Sequence, residues 1–207
     1  MQTTSGTSLN DVTRFVPARR GLLVLLALVA ACVYALDQLT KALAVARLTP
    51  GEQHPLLGDV LGLQLIRNAG AAFSMATGVT WVLTVVALVV VVVVVRSARR
   101  LGSAGWSVTL GLLLGGALGN LTDRVLRSPG FARGHVVDFI DYGGLFIGNV
   151  ADIAIVVAAA AVAVQALRGV GLDGRAARRE PGDDDVDGVD GVDDVDGVER
   201  SDGADGE

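Results

Sequence analysis

The sequence predicts an all-α membrane protein with four transmembrane helices and a disordered acidic C-terminal tail. Three observations predict it: four long apolar stretches, clusters of arginine beside them, and an abrupt change of charge near residue 173. The formal net charge of -5 averages two unlike parts. Residues 1–172 carry 13 basic and 8 acidic groups, whereas residues 173–207 carry 4 and 14. Residues 173–207 have few apolar side chains to bury, and their negative charges repel one another, which predicts disorder.

The four apolar stretches have the length of membrane-spanning helices. They cover residues 21–36, 79–95, 105–121 and 147–167. At a helical rise of about 1.5 Å per residue they span roughly 24 to 32 Å, close to the hydrocarbon thickness of a bilayer. The valine run at 89–95 favours a strand locally, but a helix satisfies its own backbone hydrogen bonds in lipid.

The basic residues predict the orientation of these helices. Ten lie close to the spans on one side: Arg14, Arg19, Arg20, Arg96, Arg99, Arg100, Arg168, Arg175, Arg178 and Arg179. Six lie in longer segments on the other side: Lys41, Arg47, Arg67, Arg124, Arg127 and Arg133. The positive-inside rule then places both termini in the cytoplasm and both long loops outside, with Trp81 and Trp106 as interfacial anchors. The chain divides into a cytoplasmic segment (1–19), a four-helix membrane domain (20–168) and an acidic cytoplasmic tail (169–207).

Two segments have alternative interpretations. The first span resembles a cleaved lipoprotein signal, because arginines precede an apolar run that ends in LVAAC at Cys32. Three further spans favour an uncleaved membrane helix instead. The Asp and Gly repeats of the tail admit a calcium-binding interpretation, although their spacing fits no known loop well, and a solvated tail is favoured.

Three aspartates fall at the outer rim of the predicted bundle. Asp37 closes the first span, Asp123 follows the third and Asp152 lies in the first turns of the fourth, while the midplane has no charge. Intramembrane and rim carboxylates are costly and therefore indicate function. A coupled transporter needs polar groups near the midplane, whereas a hydrolase acting on a membrane-tethered substrate needs them at the rim. The hydrolase is favoured; a small transporter or a non-enzymatic scaffold is the alternative.

Two short repeats suggest where polar groups meet. GNLTD (119–123) ends the third span and GNVAD (148–152) begins the fourth, so each Asn shares a helix face with its Asp. Because the helices are antiparallel, both pairs meet at one depth; simple capping of helix ends is the alternative. Gly111, Gly115 and Gly119 recur every four residues and predict close packing of the third helix against a neighbour.

A pair of carboxylates is the remaining candidate for chemistry. The histidines, His54 and His135, lie in predicted loops, and no metal-site pattern occurs. Two aspartates that share one proton can activate water. Asp123 is disfavoured because Arg124 follows it and can hold it in an ion pair, and Asp141 has the wet setting of a loop residue. Asp138, between apolar neighbours in VVDFI, is expected to have a raised pKa.

Five ordered motifs resemble those of the type II bacterial lipoprotein signal peptidases. They are DQLTK (37–41), NAGAAFS (68–74), GGALGNLTDR (115–124), GHVVDFI (134–140) and NVAD (149–152), and the resemblance covers about residues 20–168. It implies an intramembrane aspartic endopeptidase of the bacterial inner membrane, with its active site at the extracytoplasmic face. Its substrates would be diacylglyceryl-modified prolipoproteins, cut just before the lipidated cysteine. It implies membrane lipids as further partners, with no cofactor, metal or nucleic acid.

The resemblance also implies roles for individual residues. Asp138 and Asp152 would be the catalytic pair. The supporting or substrate-binding residues would be Asp37, Lys41, Asn68, Gly70, Asn120, Asp123, Arg124 and Asn149. Residues 60–67 resemble the small extracytoplasmic β-sheet of the family, lying against the membrane. The chain departs from the usual motifs at Gly148, at Ile153 and in a short loop between 141 and 149, which affects the expected shape of the flap over the site.

Overall fold

The computed structural model describes residues 19–70 and 80–175. The predictions for the N-terminal segment, for residues 71–74 of the second motif and for most of the acidic tail lie outside these residues. In chain order the elements are α1 (Arg19–Arg47), β1 (Gln53–Leu57), β2 (Leu61–Asn68), α2 (Thr80–Ser97), a 3-10 turn (Ala98–Arg100), α3 (Ala104–Leu126), β3 (Val136–Asp141), β4 (Ile147–Gly148) and α4 (Val150–Leu167).

Among residues 19–70 and 80–175, four helices are long and apolar enough to cross a membrane, which confirms the predicted helical spans. Helix α3 is the most buried and packs against α1, α2 and α4. Its glycines allow the close approach: a Cβ on Gly115 would lie 2.6 Å from the carbonyl oxygen of Ala30, and one on Gly111 would lie 2.8 Å from Val29 Cβ. Helices in lipid associate through such close packing, because lipid is as apolar as leucine. The predicted glycine-mediated contact is therefore confirmed, with α1 as the partner.

Three helix boundaries differ from those predicted. Helix α1 continues to Arg47, so Asp37 lies inside the helix rather than at its end. Helix α3 continues to Leu126 and includes Asp123. Helix α4 begins only at Val150, because residues 147–148 form a short strand. Hydropathy marks where apolar residues stop, but α1 and α3 continue beyond that point because their polar residues pair with one another.

A four-stranded antiparallel sheet, in the order β1-β2-β3-β4, lies at one end of the bundle. The predicted strand at 60–67 corresponds to β2, which pairs with β3 so that Ile66 lies opposite Asp138. A buried cluster of Ala44, Leu65, Val137 and Phe139 joins the sheet to the last turns of α1. The extension of α1 beyond the apolar span thus supports the strand that carries Asp138.

At the opposite end of the bundle, the chain after α4 folds back onto the start of α3. The Trp106 indole donates a hydrogen bond to the carbonyl oxygen of Val170 (3.1 Å), and the Gly102 N–H donates to that of Leu172 (2.9 Å). Trp106 is buried in a cluster with Val94, Leu101 and Leu110, so it packs against the protein at this end of the bundle. Trp81, in contrast, is exposed on α2.

Candidate active site

Asp138 lies on β3 and is buried, with 1% of its surface exposed. Each of its carboxylate oxygens accepts one hydrogen bond from an asparagine side chain. Asn68 Nδ2 donates to Oδ2 at 2.7 Å, and Asn149 Nδ2 donates to Oδ1 at 2.6 Å. The flanking residues Val137 and Phe139 are buried as well. The carboxylate is thus fixed in orientation within an apolar setting.

Burial raises the pKa of the Asp138 carboxyl to about 6. The hydrogen bonds from Asn68 and Asn149 and the charge of Lys41 oppose this rise, while the negative charge of Asp152 adds to it. The direction agrees with the expectation from the sequence, since desolvation penalises the charged form of a carboxyl. Asp138 can therefore hold or release a proton at a pH far above the usual range of an aspartate.

Asp152 lies in the first turn of α4 and is only partly buried. Its Oδ1 accepts a hydrogen bond from Asn120 Nδ2 (2.9 Å), and its Oδ2 accepts one from the backbone N–H of Asn149 (3.1 Å). The Asn149 side chain accepts in return from the Asp152 backbone N–H (3.1 Å), which completes a capping box. The predicted alternative of helix capping therefore holds for Asn149 and Asp152, but both residues also contact other side chains of the site.

Asn149 links the two carboxylates. Its side chain donates to Asp138 while its backbone donates to Asp152, and Nδ2 also approaches Asn120 Oδ1 at 3.2 Å. Asn120, from α3, contacts both Asn149 and Asp152, so the GNLTD and GNVAD segments meet as predicted. The structure thus brings Asp138 and Asp152 to one site on β3 and α4, held by three asparagines, Asn68, Asn120 and Asn149.

Beneath this site lies a fully buried ionic network centred on Lys41. Lys41 Nζ lies 2.8 Å from Asp37 Oδ2 and 3.0 Å from Asp123 Oδ2, and it donates to Asn120 Oδ1 at 3.0 Å. Asp37 Oδ1 in turn accepts from the Ala151 backbone N–H (3.0 Å) in the first turn of α4. The network therefore connects α1 to α3 and α4 and positions both Asn120 and the start of α4.

Asp123 is held in ion pairs, as expected, but not by Arg124. Its partners are Lys41 and Arg127, whose Nε lies 2.5 Å from Asp123 Oδ1, and Oδ2 also accepts from the Val137 backbone N–H (3.1 Å). Adjacent residues on a helix point in different directions, whereas residues four apart lie on one face. Arg127 was not among the predicted site residues, although its spacing of four residues from Asp123 indicates the ion pair.

Arg124 is buried instead, and its Nη1 has no hydrogen-bond partner among residues 19–70 and 80–175. A buried guanidinium nitrogen without a partner is costly unless a ligand supplies an acceptor.

Asn68 and Gly70 lie at the exit of β2, where the Gly70 N–H donates to Asn68 Oδ1 at 2.7 Å. Gly70 has a φ of +119°, and a Cβ there would lie 2.7 Å from the Leu83 side chain, so glycine is required.

Asp141 is not the solvated loop residue that the sequence suggested. It ends β3, is buried, and accepts hydrogen bonds from Gln53 Nε2 (3.2 Å) and from the Gly144 backbone N–H (2.7 Å). Strand alternation turns its side chain to the face opposite Asp138. It therefore caps the turn between β3 and β4 and takes no part in the candidate pair.

The aromatic residues of the turn between β3 and β4 lie next to Gly148, and their packing explains why glycine occupies this position. The rings of Tyr142 and Phe146 stack with centroids 5.4 Å apart. A Cβ on Gly148 would lie 2.6 Å from the Phe146 ring and 3.1 Å from Asp152 Oδ2. Gly148 thus makes room for the aromatic ring beside the carboxylate. Ile153, the other departure, is exposed on the outer surface of α4.

The chain is similar in sequence and in fold to known proteins. Residues 29–168 match the family model for Signal peptidase (SPase) II. A lipoprotein signal peptidase of Leifsonia xyli is 50% identical over 161 residues, which cover 77% of this chain and 74% of that protein. One of Rhodococcus jostii is 54% identical over 151 residues, covering 73% and 76%. A solved bacterial membrane enzyme superposes with a TM-score of 0.61 at 27% identity, covering 72% of this chain and 94% of that one.

Proposed function

Because the chain belongs to the signal peptidase II family, whose members are proteases that remove signal peptides from prolipoproteins, we propose that Asp138 and Asp152 are its catalytic pair. The observation that supports the pair most strongly is Asn149, which contacts both carboxylates at once. The family does not favour the alternative of a transporter or scaffold, and the polar groups of the site lie at helix ends rather than mid-span.

The pair acts on water rather than through a covalent intermediate. The ionised carboxylate takes a proton from a water molecule while the oxygen of that water attacks the scissile carbonyl carbon. The protonated carboxyl donates its proton to the carbonyl oxygen. When the tetrahedral intermediate collapses, the C–N bond breaks and the leaving amine receives a proton from the pair. The products are a new carboxyl on the signal peptide and a new amine on the cysteine. The two carboxyls titrate as one unit.

Neighbouring residues position the pair and hold the substrate. Asn149 and Asn120 fix the two carboxylates, and the network of Asp37, Lys41 and Asp123 fixes Asn120 and the start of α4. Arg124 Nη1, which is buried without a partner among the described residues, donates to a carbonyl oxygen of the bound substrate. Asn68 and Gly70 place the exit of β2 along the substrate backbone, and the absence of a side chain at Gly70 lets Leu83 pack against this turn.

The substrate is a prolipoprotein whose cysteine carries a diacylglyceryl group, and the cut falls just before that cysteine. The site lies where the sheet meets the helix ends, so the apolar signal helix can lie along the bundle while the acyl chains stay among membrane lipids. Processing of a purified lipid-modified preprolipoprotein tests this function. Release of the intact signal peptide is expected; no cleavage of the lipid-modified form by a folded protein would contradict it.

The site faces the extracytoplasmic side of the bacterial inner membrane, and both termini are cytoplasmic. The clustered arginines at the opposite end of the bundle support this orientation. In a Cys32→Ala background, a cysteine placed at Asp59, in the turn between β1 and β2, should react with an impermeant maleimide in intact spheroplasts. A cysteine placed at Arg100 should react only after permeabilisation, and the reverse pattern would contradict the orientation.

The activity should depend on pH through Asp138. A pair that shares one proton is active only when singly protonated. The raised pKa of Asp138, about 6, means that the pair keeps its shared proton up to about that pH. As pH rises through 6, the free enzyme loses this proton, so kcat/KM for a lipid-modified substrate should fall. A profile of kcat/KM that rises through pH 6 would contradict this role for Asp138.

A further inference from the structure

A cavity of about 410 Å³ lies at the end of the bundle opposite the candidate active site. Its lining consists of Arg96, Ser97, Arg99, Arg100 and Leu172. Three exposed arginines therefore border one cavity, from the last turn of α2 and the 3-10 turn that follows. This concentration of positive charge is independent of the catalytic groups.

These arginines have no carboxylate partner in the part of the chain that the structure describes. The ion pairs there involve Lys41, His54, Arg127 and Arg175, and none involves the cavity arginines. Arg19, at the start of α1, adds a further positive charge and donates a hydrogen bond to the Arg99 carbonyl oxygen. Guanidinium groups bind phosphate through paired hydrogen bonds, so arginines without an ion-pair partner among residues 19–70 and 80–175 favour a phosphate ligand.

One wall of the cavity is held in place by hydrogen bonds and apolar packing. Leu172 forms part of it, and the segment that carries Leu172 is fixed by hydrogen bonds from Gly102 (2.9 Å) and Trp106 (3.1 Å). Leu172 also packs on the buried cluster that contains Val94 and Leu101. The chain after α4 therefore forms one wall of the cavity.

The outer surface of α2 leads directly from this cavity along the bundle. Val89, Val92, Val93 and Val95 are each about half exposed, so the helix presents a continuous apolar surface that ends at Arg96. A phospholipid has the matching shape and chemistry, with acyl chains beside an anionic headgroup. A free anion would use the arginines but would gain nothing from the valines.

We propose that the cavity lined by Arg96, Arg99 and Arg100 binds the phosphodiester headgroup of an anionic phospholipid, whose acyl chains lie along the valine surface of α2. The site belongs to the cytoplasmic leaflet, given the orientation proposed above. Basic pockets beside membrane helices bind such headgroups. The lipid would hold the cytoplasmic end of α2 against the segment that carries Leu172 and does not take part in cleavage.

The test measures binding of phosphatidylglycerol to the detergent-purified full chain by native mass spectrometry, with phosphatidylcholine as the neutral reference. The double variant Arg96→Gln/Arg99→Gln should raise the apparent Kd for phosphatidylglycerol roughly tenfold or more. The charge-matched control Arg20→Gln/Arg168→Gln removes two exposed arginines outside the cavity lining and should change it less than about twofold. If the double variant does not fold, Arg99→Gln alone should raise the Kd about threefold or more.

Three outcomes would overturn the proposal. Equal losses in the cavity and control variants would show diffuse surface attraction rather than a site. Equal binding of phosphatidylglycerol and phosphatidylcholine by the unaltered chain would exclude a headgroup charge requirement. Displacement of the lipid by millimolar inorganic phosphate alone would assign the cavity to a free anion. Cleavage in neutral lipid should be unchanged in the cavity variant, which separates this site from the catalytic proposal.

Discussion

Asp138→Asn and Asp152→Asn should each lower the rate of signal-peptide release by at least about 10³-fold. An asparagine cannot accept the proton of the attacking water, nor can it return a proton to the leaving amine. The remaining side chains still bind the substrate, so KM should change much less than kcat. Cleavage of a purified lipid-modified preprolipoprotein at saturating substrate measures both constants.

A matched control separates chemistry from folding. Asp59→Asn makes the same substitution at an exposed carboxylate in the turn between β1 and β2, and it should leave the rate unchanged. All three variants should elute as the unaltered chain does in size exclusion and retain its helical circular dichroism. Substantial activity in a folded Asp138→Asn or Asp152→Asn variant would remove that residue from the catalytic pair.

Lys41→Met should destabilise the bundle by about 3 to 5 kcal/mol, because it leaves the buried Asp37 without its cation and Asp123 with Arg127 alone. Asp37 and Asp123 are both fully buried and lie 2.8 and 3.0 Å from Lys41 Nζ. The same change removes the hydrogen bond to Asn120, so the fraction that folds should also cleave more slowly. Thermal unfolding in detergent and the specific activity of the soluble fraction measure the two effects.

Arg47→Met is the control for this loss of charge, since Arg47 is exposed at the end of α1. It should change the unfolding temperature by less than a few degrees, as exposed charges contribute little. If Lys41→Met unfolds at the same temperature as Arg47→Met, the buried network does not stabilise the bundle in the way that its geometry indicates.

The four spans were predictable because the requirement for helix in lipid is strong and residue hydropathy reports it directly. The ends of α1 and α3 were not, because they extend through paired polar groups. Asp37 looks like the end of a span in sequence, yet its ion pair with Lys41 lets α1 continue to Arg47. Hydropathy averages over neighbours in sequence and carries no information about a partner on another helix.

The candidate pair was only partly accessible from the sequence. The matching GNxxD segments alone would pair Asp123 with Asp152. Arg124 beside Asp123 and the apolar flanks of Asp138 favoured Asp138 instead, as did the family motifs. The structure adds the partners: Asp123 lies in the buried network with Lys41, whereas Asp138 and Asp152 both accept hydrogen bonds from Asn149. The NVAD motif indicated a supporting role for Asn149, but its contacts through both side chain and backbone depend on the exact start of α4, which the sequence did not predict.

The most direct test of the catalytic pair compares kcat for Asp138→Asn, Asp152→Asn and the double variant. Two carboxyls that share one proton act as a unit, so the double variant should be no slower than the slower single variant. If the two losses multiply in the double variant, the aspartates act independently and the shared-proton mechanism is contradicted.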